Sequence, residues 1–306
     1  MNNSLKKILQ TNSKINKSFG ALRLCVKPEF CMKLIIILLF TICLYSCKNS
    51  DPVSPSQPDT STNFKYPLTA NSNWFHTTKD FVFNIRPDSI RYHLSADTLI
   101  ENGFSILKND TVINGITYKI FKTDHSSTAH AYTSLEYFRQ ADTGLVSASV
   151  SFEGNGFGPY RPSSSIFVYN QKVFHSIHDI VDYASANSNN NSLVTQELKC
   201  IAYPIVPGQS WFFRKVDTIT DQYKSFQNYI LTSCPAGTFN CMVIKRQNIY
   251  GGIPDTNTVL LDYYSKIGMI KRDYTIKNVA YTSSTGQVIG YFDIKDDVIL
   301  NSYFIQ

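Results

Sequence analysis

The sequence lacks an apolar run long enough to cross a bilayer. Its longest run, Leu34 to Leu44, has 11 residues, whereas a spanning helix needs about 20. The run follows Met32-Lys33 and leads into Leu44-Tyr45-Ser46-Cys47, which has the form of a lipobox. This combination argues against a transmembrane anchor. It predicts a lipoprotein signal peptide over residues 32–46, with Cys47 as the residue that receives lipid.

The predicted mature chain also lacks net charge. Residues 1–46 hold 7 of the 29 Lys and Arg and 1 of the 23 Asp and Glu, so 22 of each sign remain from Cys47 onward. Without clustered positive charge to neutralise phosphates, the sequence predicts no nucleic-acid partner. Residues 1–31 match no structural pattern and precede a well-formed signal. We therefore interpret them as an upstream extension, with Met32 as the true start.

Cysteine is scarce, and metal-ligand spacing is absent. Of seven cysteines, only Cys200, Cys234 and Cys241 follow the predicted lipid anchor. An exported compartment permits one disulfide among them, but the sequence does not assign the pair. Their spacings of 34 and 7 residues fit no familiar zinc motif. We expect buried thiols or one disulfide, and neither a metal nor another cofactor.

Signals for catalysis are weak. Asp124-His125-Ser126 places three triad residue types side by side, but a triad forms by convergence in space, and we interpret the segment as a loop. His175 and His178 have the spacing of ligands on one helix face, yet His175 precedes the predicted helix, which favours a surface or capping role. The glycine-rich segment 154–159 runs into proline and is interpreted as a turn. No Gly-x-Ser-x-Gly elbow occurs, so no catalytic residue is assigned.

From residue 64 onward the composition favours strands. Residues 47–63 are rich in Ser, Pro, Asp, Thr and Asn; they bury too little apolar surface to offset their ordering entropy, so we expect a flexible tether. Residues 64–306 form the predicted globular domain, and their alternation of apolar and polar side chains indicates strands. The clearest run is 145–152; the others are 81–85, 116–122, 166–169, 211–216, 239–245, 259–264 and 288–294.

Turn and helix signals complete the expected fold. Asn114-Gly115 and Ala236-Gly237 suit tight hairpins, because both contain residues that take positive φ. Residues 176–186 give the one convincing helix pattern, with Ser176 as its N-cap. We therefore expect an all-β fold with minor α content: an antiparallel curved sheet or half-barrel with one short helix against it.

Two parts of the globular region share a motif. Tyr66-Pro67 precedes Trp74 as Tyr203-Pro204 precedes Trp211, with the same seven-residue step from proline to tryptophan, and these are the only two tryptophans. We expect both indole rings to lie in the core rather than to stack on a ligand.

Two further features recur in the same order in each part, a glycine-led strand and an aromatic hairpin that closes on glycine. They begin at Gly115 and Tyr137-Phe138, then Gly144, in the first part, and at Gly237 and Tyr263-Tyr264, then Gly268, in the second. This order predicts an internal duplication with pseudo-repeats at 64–186 and 198–306.

These motifs resemble those of Gram-negative envelope lipoproteins of unknown function. The second half matches that pattern at Tyr203-Pro204-Ile205, Gly208, Trp211, Gly237-Thr238-Phe239, Tyr263-Tyr264 and Gly268-Met269-Ile270-Lys271. The first half departs from it at Asn71, which replaces the glycine before Trp74. Such proteins are similar, in fold only, to half-barrel carriers of the LolA type. The resemblance implies an outer-membrane location and structural motifs, and it brings no catalytic residue.

Three functions remain open at this point. The first is a non-enzymatic, membrane-anchored envelope lipoprotein whose curved sheet binds an apolar ligand, a lipid or a protein partner. The second is a carbohydrate-binding surface lipoprotein, in which exposed Tyr and Trp stack on sugar rings. The third is a hydrolase whose site the sequence does not reveal.

Overall fold

The computed structural model describes residues 64–94, 99–127, 131–153, 166–185 and 197–306. The predicted signal peptide, Cys47, the tether and the glycine-rich segment 154–159 lie outside these residues. In the described part, no helix is both long and apolar enough to span a bilayer.

The first half of the sheet is a meander of long strands. It comprises β1 (Asn73–Arg86), β2 (Leu99–Ile113), β3 (Ile116–Ser127), β4 (Ala131–Ala141) and β5 (Gly144–Glu153), each antiparallel to the next. The predicted turn Asn114-Gly115 joins β2 to β3, and both residues have positive φ, 51° and 78°, which a tight hairpin turn requires. A 3-10 turn, Asp88–Ile90, and the short helix α1 (Arg91–Leu94) follow β1.

A hairpin and the predicted helix connect the two halves. The elements are β6 (Ile166–Tyr169), β7 (Lys172–Phe174), α2 (Ile177–Ser185) and β8 (Leu198–Ala202). Ser176 is the N-cap as predicted, because its Oγ accepts a hydrogen bond from the Asp179 amide at 3.0 Å and so satisfies a backbone donor at the helix start. The apolar face of α2 packs into the core cluster that contains Phe167 and Phe292.

The second half repeats the meander. Its strands are β9 (Ser210–Lys215), β10 (Thr220–Cys234), β11 (Gly237–Tyr250), β12 (Ile253–Pro254), β13 (Thr258–Ser265), β14 (Gly268–Thr282) and β15 (Val288–Phe304). The strand β12 pairs only with β11, beside the main path of the sheet.

The strands form one antiparallel sheet that curves into a nearly closed barrel. The order is β8-β5-β4-β3-β2-β1-β15-β14-β13-β11-β10-β9, with β1 and β15 paired along most of their length. The two ends of this order, β8 and β9, are consecutive in sequence and do not pair through the backbone. We call the line between β8 and β9 the seam. The prediction of a mainly antiparallel, curved sheet with little helix is confirmed.

The two halves of the sheet have the same arrangement of strands. Each is a six-stranded meander, β1 to β5 followed by β8, and β9, β10, β11, β13 and β14 followed by β15. One junction between them is the β1–β15 ladder and the other is the seam. A duplication would produce this order; the duplication and its boundaries stay predictions.

One interpretation of the sequence is wrong. Asp124-His125-Ser126 is part of β3, paired on one side with β2 and on the other with β4, rather than a loop. The polar character of the segment misled the interpretation, because β3 turns Thr123 and His125 towards a polar region of the barrel interior instead of an apolar core.

Candidate functional site

Several of the predicted motif residues meet, although they are far apart in sequence. The rings of Tyr66 and Tyr264 contact each other edge to face, with centroids 6.1 Å apart. Trp74 is 1% exposed and donates its indole N–H to the carbonyl of Ile267, in the turn between β13 and β14. Gly268 has a φ of +114°, and a Cβ at this position would lie 2.9 Å from Trp74 Nε1. These residues therefore hold the fold together through ring packing and one hydrogen bond.

The second Tyr-Pro-Trp motif lies at the seam. The amide of Tyr203 donates to Thr143 O in the β4–β5 turn at 3.0 Å, and its hydroxyl accepts from the amide of Tyr66 at 3.1 Å. Trp211 is half-buried in β9 and donates its indole N–H across the seam to Lys199 O of β8 at 2.9 Å. These contacts join the two halves of the chain.

The remaining motif residues shape the backbone. Pro67 and Pro204 lie in the segments that lead into β1 and β9. Gly208 has positive φ and donates its amide to Phe226 O at 3.1 Å. Gly237 begins β11 with a φ of +135°, which only glycine adopts readily.

Four charged side chains and one tyrosine face inward from four neighbouring strands. They are Lys224 of β10, Arg246 of β11, Asp262 of β13, and Arg272 and Tyr274 of β14, and we call these five residues the interior belt. Asp262 is 0% exposed. It accepts hydrogen bonds from Arg246 Nε at 2.7 Å, Tyr274 OH at 2.9 Å and Arg272 Nε at 3.3 Å. Burial raises the pKa of Asp262, but the two guanidiniums outweigh burial and hold it well below its usual range.

Lys224 differs from Arg246 and Arg272 because no carboxylate in the described part of the chain lies within ion-pair distance of it. The charge of Asp262 and that of Glu136 on β4 act on it from further away. It is 2% exposed, its Nζ donates to Cys200 O at 3.3 Å, and the same atom lies 3.8 Å from the centre of the Phe213 ring. Within the described residues it forms no ion pair. Burial, and after it the charge of Arg246, lower the pKa of Lys224 to about 8.

Arg214 of β9 adds a second poorly compensated cation near Lys224. Its Nε is buried, and no hydrogen-bond acceptor in the described part of the chain reaches it. Burial and the charge of Arg246 lower the pKa of Arg214 to about 10. Within the part of the chain that the structure describes, Lys224 and Arg214 are therefore two interior cations without a contacting carboxylate. The charge of Glu136 on β4 acts on Lys224 and Arg246 from a greater distance.

A second polar constellation faces the interior from the first half. Glu101 of β2 accepts from His125 Nδ1 of β3 at 2.8 Å, and His125 Nε2 lies 2.9 Å from Ser134 Oγ of β4. The ring of Tyr132 is stacked on the imidazole, with centroids 4.3 Å apart and planes 3° from parallel. These residue types in this order are those of a serine-histidine-carboxylate triad.

The sequence singles out His125 beside Asp124 and Ser126, in a segment interpreted as a loop. It does not identify Glu101 or Ser134 as partners of His125. Adjacent residues in a strand point to opposite faces, so Asp124 and Ser126 lie on the other side of the sheet from His125. Asp124 instead accepts from Lys122 Nζ and Thr133 Oγ1. The alternation of Phe121, Thr123 and His125 was the available signal for a strand, and the partners of His125 follow only from the pairing of β2, β3 and β4.

A shallow surface cleft of about 210 Å³ lies elsewhere, beside Tyr118, Lys119 and Arg139. Its charged groups already have partners. Arg139 forms a two-pronged ion pair with Glu197, at 2.6 Å and 2.5 Å, and Lys119 pairs with Asp110. The cleft is therefore a weaker candidate than the interior.

No metal centre is found in the described part of the chain, and the exposed aromatic pair there includes no tryptophan. Phe212 and Tyr223 form this pair and contact each other edge to face, with centroids 5.6 Å apart. No group of three or more His, Cys, Asp or Glu side chains has the arrangement of a metal site there. His175 is exposed, and the side chain of His178 lies outside the described atoms. Cys200, Cys234 and Cys241 are all free thiols. Neither tryptophan is exposed, and the four exposed tyrosines are Tyr92, Tyr223, Tyr291 and Tyr303.

Comparison with known proteins gives distant structural likenesses alone. No family model and no curated protein matches the chain. It is similar to a Bacteroides fragilis protein described as exported and as having a YmcC-like fold, with 10% identity, a TM-score of 0.37, and 79% of this chain and 99% of that chain covered. It is also similar to a Parabacteroides distasonis protein described as a lipoprotein, with 9% identity, a TM-score of 0.27, and 79% and 98% covered. Both likenesses are too distant to transfer a function or a site residue.

Proposed function

We propose that this chain is a lipid-anchored envelope protein that binds an anionic ligand at the seam of its barrel. The anchor rests on the signal pattern of residues 32–46 and on acylation of Cys47, which would attach the domain to the outer membrane through the tether of residues 47–63. The ligand rests on a separate observation, the buried ammonium group of Lys224, which no carboxylate in the described ranges contacts directly.

Burying an ammonium group without a counter-ion costs several kcal/mol, and proteins usually avoid this cost by pairing or neutralising the charge. Lys224 has one backbone carbonyl and one aromatic face as partners. Residues 186–196, which lead into β8, contain no Asp or Glu, so that segment brings no carboxylate to Lys224. An anion from outside the chain would supply the missing charge.

The seam provides a route to this charge. Two side-chain contacts close it: Trp211 donates to Lys199 O, and Lys224 donates to Cys200 O. No backbone ladder joins β8 to β9, so a small anionic group that entered here would displace side chains without breaking a strand pairing. The buried Nε of Arg214 is a second donor on the same side.

The other ligand classes fit the interior less well. An apolar ligand would offer neither a charge nor a hydrogen-bond acceptor to the buried cations of the interior. A sugar-stacking platform needs exposed aromatic rings on one face, whereas Trp74 is buried and Trp211 half-buried. The exposed rings of Phe212 and Tyr223 lie on the outer face and meet edge to face rather than side by side. A protein partner and a glycan are the alternatives if no anion binds.

The test uses the full-length, lipidated protein in an uncharged detergent, titrated calorimetrically with inorganic phosphate and, separately, with short-chain phosphatidic acid. Both probes carry a phosphate group, so binding of the free ion alone indicates a soluble anion, and binding of the lipid alone indicates a headgroup. Lys224→Met should weaken binding at least tenfold. Lys245→Met is the matched control, because Lys245 lies on β11 next to Arg246 but on the opposite face, and it should leave affinity unchanged.

Lys224→Met should also fold well, because replacing an unpaired buried charge with an apolar side chain of similar length removes a desolvation cost. A saturating anion at about 100 times its Kd should stabilise the unsubstituted protein by about 2.7 kcal/mol, and the variant by much less. The proposal is overturned if neither probe binds, or if the Lys224→Met variant binds as tightly as the unsubstituted protein.

A further inference from the structure

We propose that Ser134, His125 and Glu101 form a hydrolytic centre in which Ser134 attacks a short-chain carboxylic ester. This activity goes beyond ligand binding at the seam and does not depend on it. It would replace the non-enzymatic role that the sequence predicts. It rests on the geometry of three side chains from three neighbouring strands.

The hydrogen bonds fix the role of each group. Glu101 Oε1 lies 2.8 Å from His125 Nδ1, so the carboxylate accepts the Nδ1 proton and leaves Nε2 as the basic nitrogen. Ser134 Oγ lies 2.9 Å from Nε2, so the hydroxyl donates to that nitrogen. A carboxylate that orients the imidazole, and an imidazole that accepts the serine proton, is the arrangement that activates a serine nucleophile.

The surrounding structure holds the imidazole rigidly. Tyr132 lies directly opposite His125 in the β3–β4 ladder, and its ring covers one face of the imidazole. The Tyr132 hydroxyl donates to Glu101 Oε1 at 3.4 Å. Because all three reacting groups stand on paired strands rather than on loops, their separations are fixed by strand register, which favours a preorganised site.

The environment of Ser134 differs from that of a structural hydroxyl. On the same inner face, Ser105 Oγ and Thr123 Oγ1 satisfy each other at 2.9 Å without a base. Ser134 is 7% exposed and pairs with a histidine instead. The His125 side chain is 21% exposed, so solvent reaches the base while the hydroxyl stays shielded. Because Ser134 is buried, we expect a short-chain ester rather than a long-chain one to reach its hydroxyl.

The reaction balances with water as the one co-reactant. Ser134 Oγ bonds to the ester carbonyl carbon while His125 Nε2 takes the hydroxyl proton. The carbon–oxygen bond to the alcohol then breaks, and His125 returns the proton to the departing oxygen. A water molecule attacks the acyl-serine, His125 takes one of its protons, and the bond to Oγ breaks as that proton returns to Ser134. The products are a carboxylic acid and an alcohol.

The experiment treats the full-length protein with a fluorophosphonate probe, maps the adduct by peptide mass spectrometry, and measures hydrolysis of 4-nitrophenyl acetate. We expect an adduct on Ser134. Ser134→Ala and His125→Gln should each lower hydrolysis at least 100-fold, the range expected when a nucleophile or general base is removed. Ser147→Ala is the matched control, since Ser147 is a buried serine of the neighbouring strand β5, and it should keep the activity.

Thermal unfolding of each variant separates loss of chemistry from loss of fold. If Ser134→Ala does not fold, His125→Gln still tests the base, because the rate of Ser134 labelling should fall with Ser134 unchanged. The proposal is overturned if the folded, unsubstituted protein gives no Ser134 adduct, or if its hydrolysis survives both substitutions. Phosphate titration of Ser134→Ala keeps the two proposals apart, because binding at Lys224 should persist there whether or not Ser134 is a nucleophile.

Discussion

Arg246 and Asp262 form an ion pair inside the barrel, with Arg246 Nε 2.7 Å from Asp262 Oδ2 on the neighbouring inner strand. The same guanidinium donates through Nη1 to Ser185 O, the last residue of α2, at 2.9 Å. One side chain therefore links the charged belt to the helix C-terminus, where a positive charge is favoured by the helix dipole.

Substitution Asp262→Asn should destabilise the protein strongly. It would leave Arg246 buried without a full negative charge, and breaking one partner of a buried pair costs about 3 kcal/mol or more. The measurement is the free energy of unfolding in urea.

Asp273→Asn is the control for that substitution. Asp273 lies on β14 and pairs with Lys271 and Lys295 in a more exposed setting, where ion pairs contribute about 1 kcal/mol or less. Equal losses for the two variants would contradict a special role for the interior pair.

His76 should make stability depend on pH. Burial, and to a lesser degree Arg272, lower the pKa of His76 from 6.5 to about 4, although its bond to Met269 O acts in the opposite direction. The unfolded chain thus binds a proton between pH 6.5 and 4 that the folded protein excludes. Stability is present above pH 6.5 and is lost as pH falls towards 4, with about 2 kcal/mol gone at pH 5.

His76→Gln should remove this part of the slope, since glutamine does not titrate. Urea unfolding at pH 8 and pH 5 measures the difference. His175→Gln is the control, because His175 is exposed and its loss should leave the slope as it was. A His76→Gln variant with the full slope would show that other groups carry the effect.

Two glycines at corresponding hairpins should resist substitution. A Cβ at Gly144 would lie 2.1 Å from Ile201 O, and one at Gly268 would lie 2.9 Å from Trp74 Nε1. Gly144→Ala should cost about 3 kcal/mol or more, because it would push the backbone of β8 away in addition to straining φ. Gly268→Ala should cost somewhat less, since its neighbour is a side chain.

Gly286→Ala is the control for both glycines. Its φ is +81°, yet nothing lies within 4 Å of the added Cβ, so strain alone should cost about 1 kcal/mol. The free energy of unfolding in urea, measured for the three variants, gives the cost of each substitution. If Gly144→Ala were as mild as Gly286→Ala, the close approach of β8 to β5 would be refuted.

Strands could be predicted where β-branched and aromatic residues are dense, and not where such residues are sparse. Residues 259–264 and 288–294 are rich in them and fall within β13 and β15, although Asp262 of β13 faces the polar interior. The 15-residue strands β2 and β10 were not predicted. In β10 the inward positions include Gln222 and Lys224, which remove the hydrophobic alternation, and bulges interrupt the register of both strands.

The candidate site was harder to predict from the sequence than the strands were. Glu101 and His125 are 24 residues apart, and Ser134 follows His125 by nine, spacings that match no sequence motif. Their association depends on the register of two hairpins. Lys224 carries no sequence signal either, because its burial without a contacting carboxylate becomes visible only in the folded barrel.

The membrane anchor lies outside the described residues and stays a prediction that cell fractionation can decide. Cys47→Ser should abolish incorporation of labelled palmitate and release the protein from the membrane fraction, since a processed lipoprotein is held by its acyl chains and two or more are needed for stable attachment. Cys43→Ser is the matched control: it changes a cysteine inside the apolar run, four residues before the predicted acceptor, and should leave labelling intact. Label retained in Cys47→Ser, or lost in both variants, would contradict Cys47 as the acylated residue.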